Sequence, residues 1–124
     1  MMSVENTIDA VRLALNLQET RAHIASMNVA NAGKPGTTAM RVDFAKVEAA
    51  LREAAHAGSE SEAARWLESA NSELRAADPQ SSFDPIRLDE QMGDIATAGI
   101  EYQALTEALS RQFGLMRIAV TGRP

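Results

Sequence analysis

The chain contains no cysteine, which excludes both a disulfide framework and a cysteine-ligated metal. Aromatic residues make up only 4% of its 124 residues. No apolar run approaches the ~18–20 residues of a membrane span, so no direct membrane insertion is expected. A basic excess is missing too: 12 Lys and Arg against 17 Asp and Glu leave a net charge of −5. Acids and bases number three and three over residues 1–36, nine and six over 37–87, and five and three over 88–124. No basic face emerges, and nucleic acid is not an expected partner. The opening MMSVENTIDAV has no Lys/Arg-flanked apolar segment with a small-residue cleavage site, and it reads as helix. The expectation is a protein that is either cytosolic or exported without a cleaved signal.

What is present is helical periodicity. From Leu88, steps of four and three residues give Leu88, Met92, Ile95, Gly99, Tyr102, Thr106, Leu109, Phe113, Met116 and Val120, and no proline interrupts them. Spacing held this long predicts an amphipathic helix packed lengthwise on another helix. At about 1.5 Å per residue it is roughly 50 Å long. Asp89, Glu90 and Asp94 near its start and Arg111, Arg117 and Arg123 near its end complement the helix dipole.

The same spacing runs through Val4, Ile8, Val11, Leu15, Ala22, Ala25 and Val29, with Gln18 as a polar interruption. Leu13, Leu17, Ile24 and Met27 form a second apolar series on this helix, as Ile100, Leu115 and Ile118 do on the last one. A helix apolar on two faces is buried on two sides. The hydrophobic fraction is an ordinary 45% but rich in alanine, which favours helix and buries little area. The core is therefore expected to be thin, the middle of the chain too small and polar to cover the second faces, and other subunits to complete them.

Gly33-Lys34-Pro35-Gly36 ends the first helix, with Gly33 suited to a left-handed cap. An irregular passage over residues 37–42 leads to Asp43, which can cap a helix carrying Phe44, Val47, Leu51 and Ala54. Ser59-x-x-Glu62 has the form of a capping box and opens a helix with Ala63, Trp66, Leu67, Ala70 and Leu74. Residues 78–85 read as a linker, with Asp84-Pro85 as cap and first position of the last helix. The expected fold is all-α: long terminal helices paired as an antiparallel, coiled-coil-like layer around a small helical and irregular middle. The units are 1–36, 37–85 and 86–124 of one structural body.

Catalytic, cofactor and metal sites are not expected. His23 and His56 stand alone, without a second ligand at a metal-binding spacing. Gly33 to Thr38 lacks the order of a phosphate loop and follows a helix rather than a strand. Asp89 and Glu90 are adjacent on a helix and point apart, so they serve the dipole rather than acid–base chemistry. Trp66 reads as a packing anchor. Nothing assembles a nucleophile, a base and an oxyanion site, and the chain is read as a non-enzyme. Asn28 and Asn31 share a helix face three residues apart. They are either the polar end of a fraying helix or amides bonded to a neighbouring helix or turn, and periodicity leaves both open.

The stretch Ala25-Ser-Met-Asn-Val-Ala-Asn-Ala-Gly-Lys-Pro-Gly36 resembles the A-x-N-I-A-N-A-x-T-P-G-Y signature of the flagellar rod and hook axial protein family. Leu88-Asp-Glu-Gln-Met92 and the run Glu101 to Arg117, with Tyr102-Gln103-Ala-Leu-Thr, look like the C-terminal helix of its basal-body rod members. Arg41-Val-Asp-Phe44 is similar to a further segment of those members. The resemblance covers about residues 8–48 and 86–120, and places Asn28, Asn31, Pro35, Gly36, Tyr102 and Gln103 on the family motifs. Gly33, Lys34 and Thr37 depart from the signature.

The resemblance implies a structural subunit of the bacterial flagellum, with its localisation in the periplasm-spanning rod of the basal body. It implies passage through the flagellar type III export apparatus without a cleaved signal. Its implied partners are other rod subunits, MS-ring/rod adaptor proteins and that apparatus. In axial proteins of this kind the terminal helices pair, and Leu15, Leu109 and Phe113 are expected to pack within the chain. Ile24, Ile100 and Ile118 are expected to contact other subunits. The rival reading is a soluble helical adaptor or export chaperone that binds a partner through the same faces and never polymerises.

Overall fold

The Ser3 hydroxyl accepts a hydrogen bond from the Asn6 backbone N–H (3.1 Å), and this cap starts helix α1, Val4–Asn31. The computed structural model describes residues 2–123. After α1 come strand β1 (Thr38–Arg41), helices α2 (Ala45–Ala55) and α3 (Glu60–Ala76), strand β2 (Gln80–Pro85) and helix α4 (Leu88–Thr121). The two long terminal helices pack against each other. They run antiparallel, because Asn28 and Glu19 of α1 bond Gln91 and Tyr102 of α4, one number falling as the other rises.

The middle segment closes over α1, contrary to expectation. Leu13 and Leu17 of α1 form one core with Val47, Ala50 and Ala54 of α2 and Leu67 and Ala70 of α3. Phe44, Leu51, Trp66 and Leu74 pack around its edge, so Trp66 is a half-buried anchor. The segment suffices because alanines let α2 and α3 approach closely, and larger side chains fill the space between that pair and α1. Its helix starts are local. Ser59 accepts from the Glu62 N–H (3.1 Å), and the Glu62 carboxylate reaches the Gly58 N–H (3.0 Å), completing the capping box one residue further out. The cap of α2 is corrected: its N-cap is Phe44, which makes no side-chain bond, while Asp43, one residue earlier, accepts from the Ala45 N–H (2.9 Å).

Two passages read as irregular are strands. β1 and β2 pair antiparallel, Met40 opposite Ser81 and Arg41 opposite Gln80. The register shifts before Thr38 meets Pro85, and the extra residues on β2 include Phe83, at φ 61°. A non-glycine residue in the left-handed region is a strained bulge position. Here the Ser82 hydroxyl fastens it by donating to the Ala39 carbonyl (2.7 Å). Asp84 and Pro85 consequently end β2 and do not cap α4, whose preceding residue, Arg87, makes no side-chain cap.

The turn after α1 differs from expectation in one residue. The residue following α1, Ala32, is right-handed, and the glycine with positive φ is Gly36, at +78°. The Thr37 hydroxyl lies 2.8 Å from the Asn31 carbonyl and 2.7 Å from that of Lys34, so Thr37 closes its own turn. A side chain at Gly36 is forced into a conformation costing about 1–2 kcal/mol. Gly36→Ala is therefore expected to lower stability by that amount in urea unfolding, with Gly33→Ala neutral.

Candidate functional site

Helix α4 is 34 residues long, yet Gln91 and Ala98 are its only buried residues. The seam against α1 uses two rows of side chains. One is Ile95, Leu109 and Met116, half-buried, with Tyr102 at the rim, as the spacing predicts. The other is Gln91, Ala98, Leu105 and Gln112, one residue away from the apolar row Met92, Gly99, Thr106 and Phe113. The Asn28–Gln91 bond accounts for this rotation. Turning Gln91 inward gives the buried Asn28 amide a partner for its second N–H, which would otherwise cost about 1–3 kcal/mol if left unpaired.

The apolar row left outside is extensive. Leu88, Met92, Ile100, Phe113, Leu115, Ile118 and Val120 are all exposed, Ile100 to 69% and Val120 to 85%. Extending the 28–91 and 19–102 pairings along the helices sets Val4 level with about Met116. The last turn and a bit of α4 therefore projects beyond α1, ending at left-handed Gly122.

The residues assigned to packing or subunit contacts divide unevenly. Leu15 and Leu109 are half-buried within the chain. Phe113 is 48% exposed, a correction to its expected internal packing, because the rotation of α4 turns its row away from α1. Ile24 is corrected in the opposite sense. It is buried where β1, the start of α2 and α4 close over α1, and it lines a cleft with Met40, Phe44 and Gln91. Ile100 and Ile118 lie on the open side of α4.

The two asparagines near the end of α1 are resolved differently. Asn28 is only 2% exposed and acts as a clamp. Its Nδ2 donates to the Met40 carbonyl (3.0 Å) and to Gln91 Oε1 (3.0 Å), while its Oδ1 accepts from the Met40 N–H (2.8 Å). One side chain thus supplies β1 with the donor and acceptor that a third strand would offer, and ties it to both long helices. Asn31 contributes its carbonyl to the turn, accepting from the Lys34 N–H (3.0 Å) and the Thr37 hydroxyl. Pro35 and Gly36 sit exposed in that turn, Tyr102 reaches the Glu19 carboxylate (3.3 Å), and Gln103 is exposed.

No family model, curated protein or solved structure matches the chain. Among the described residues, no group of three or more His, Cys, Asp or Glu is placed to hold a metal ion, and no helix is long and apolar enough to cross a membrane. His23 and His56 are exposed and far apart in the chain. Ion pairs at the start of α4, Arg41–Glu90 (3.6 Å), Arg41–Asp84 (3.8 Å) and Arg87–Asp89 (3.7 Å), are open to water and contribute little energy. What the surface of α4 offers is exposed apolar area along a long helix, and such area suits association.

Proposed function

We propose that the chain is a structural, non-enzymatic subunit of the proximal rod of the bacterial flagellar basal body, of the FlgB type. The observation that carries this reading is α4 itself: a long helix with one side on α1 and its remaining apolar side chains in water. Surfaces of this kind are completed by neighbours. If the neighbour is another rod subunit, each contact is heterologous, and a heterologous contact that does not close builds a helical shaft rather than a ring. In this reading the chain leaves the cell's interior through the type III apparatus without a cleaved signal. It meets MS-ring/rod adaptor proteins and other rod subunits through α4, and transmits torque along the paired helices. The motif residues Asn28, Tyr102 and Gln103 support the family assignment by their place in the seam and beside it.

A second reading draws on the core shared by α1, α2 and α3, which is complete without any partner. A soluble adaptor or export chaperone would need such self-sufficiency. Mass spectrometry of purified hook–basal bodies, with motility of a deletion strain, separates the two. Presence of the chain in the basal body and loss of motility are expected. Absence from it with motility intact would replace the rod reading by the adaptor one.

A further inference from the structure

Gln18 interrupts the apolar spacing of α1, and no contact within the fold accounts for it. It is only 8% exposed, and its Oε1 is enclosed without a hydrogen-bond partner among the described residues. An acceptor buried in this way costs about 1–3 kcal/mol unless a donor reaches it. Gln18 lines a cleft of about 430 Å³ bounded by α1, the β1–α2 junction and α4. Four carboxylates line the cleft, Asp43, Glu48, Glu90 and Asp94, against two guanidiniums, Arg21 and Arg41. Both guanidiniums are engaged. Arg21 pairs with Glu48 and lies 5.3 Å from the centre of the Phe44 ring, and Arg41 pairs with Glu90 and Asp84. Asp94 has no ion pair among the described residues.

The cleft therefore has an unused acceptor in its wall and unbalanced negative charge at its mouth. The group that satisfies both is a cation rich in N–H donors. A planar guanidinium, with five donors in a fork, can bond a carboxylate on one edge and an amide oxygen on another; an ammonium presents a single point. We propose that this cleft binds a guanidinium group presented by another polypeptide, the Gln18 amide turning so that its enclosed Oε1 accepts one N–H and Asp94 supplying the counter-charge. The site stands whether or not the chain belongs to a rod. A second copy is one source: Arg117 and Arg123, near the projecting end of α4, make no ion pair among the described residues. The cleft lies toward the other end of the α1–α4 pair, so that contact would be head to tail.

The test is an NMR titration of the full chain with N-methylguanidinium, using urea as the neutral control of similar shape. Saturable shifts of the Gln18 side-chain amide and of residues 90–98 are expected with the cation and not with urea. Asp94→Asn is expected to weaken binding by about tenfold or more, the loss of one charge-assisted hydrogen bond. Gln18→Leu is expected to abolish binding while raising Tm, since it removes the enclosed acceptor; a merely structural glutamine would not couple those two changes. No saturable shift, equal shifts with urea, or unchanged affinity in either folded variant would overturn the site. Asp94 is exposed, so its variant carries the test if Gln18→Leu does not fold. A peptide of residues 115–123 then distinguishes the sources. If it displaces the probe and its Arg117→Gln, Arg123→Gln version does not, the guanidinium comes from a second copy; if neither displaces it, the guanidinium comes from a different protein.

Discussion

If the chain is a rod subunit, Ile118→Asp is expected to leave it folded and exported and to prevent its assembly. Ile118 lies on the open side of α4, where α1 does not cover it, so the free chain loses little. In an interface the change removes the burial of an isoleucine, about 1.5–3 kcal/mol, and adds a carboxylate without a partner. Together these reduce association by more than about a hundredfold. One complication is local. The Ile118 carbonyl accepts from the Gly122 N–H (2.7 Å) in the closing turn of the helix, where an acid opposes the dipole. Ile118→Lys separates the two effects, because it favours the helix end and still denies the apolar contact. Both variants should retain their helical circular dichroism and abolish motility, with the protein still found outside the cytoplasm. Loss of export, rather than assembly, would move the role of Ile118 from the rod to the secretion step.

The largest loss of stability is expected from Asn28→Ala. The substitution leaves the Met40 N–H, the Met40 carbonyl and the Gln91 amide without the partner that now holds them. Each group left unpaired and out of water costs about 1–3 kcal/mol, so a total of several kcal/mol is expected, a large part of a small domain's stability. Chemical denaturation of the free chain reads this directly. Hydrogen exchange adds a second, more specific readout: the amide of Met40 should lose protection first, followed by the rest of β1. A change below about 1 kcal/mol would mean that water or a shifted strand replaces the clamp.

The parts of this fold that follow from neighbours in sequence were legible from the sequence. The capping box at Ser59 and Glu62 and the two long helices needed only short spacings. The inner face of α4 was legible to within one row. Ile95, Tyr102, Leu109 and Met116 lie along the seam, but apolar content favoured Met92 and Phe113 for the other row, and the chain uses Gln91 and Ala98. What decides between them is an amide partner 63 residues away, a fact hydropathy does not carry. Ile24 was misplaced for a related reason. It belongs to the second apolar series of α1, whose partner turned out to be the middle of the chain. The strands were hidden by their brevity and polarity; β1 is four residues long, and its other edge is bonded by Asn28 rather than by backbone. Gln18 was visible only as an interruption, and its burial needed the cleft.

The pairing of β1 with β2 has a further consequence. Everything from α2 to α3 leaves and returns through one short ladder, so its two ends are held together independently of the length between them. Closing a flexible excursion of twice the length costs only about 0.6 kcal/mol more. The exposed turn at Gly58 and Ser59 is where extra residues would enter, provided Val47 and Leu67 still meet Leu13 and Leu17. Larger or differently shaped protrusions can thus be grown from the same pair of helices, leaving the surface of α4 unchanged.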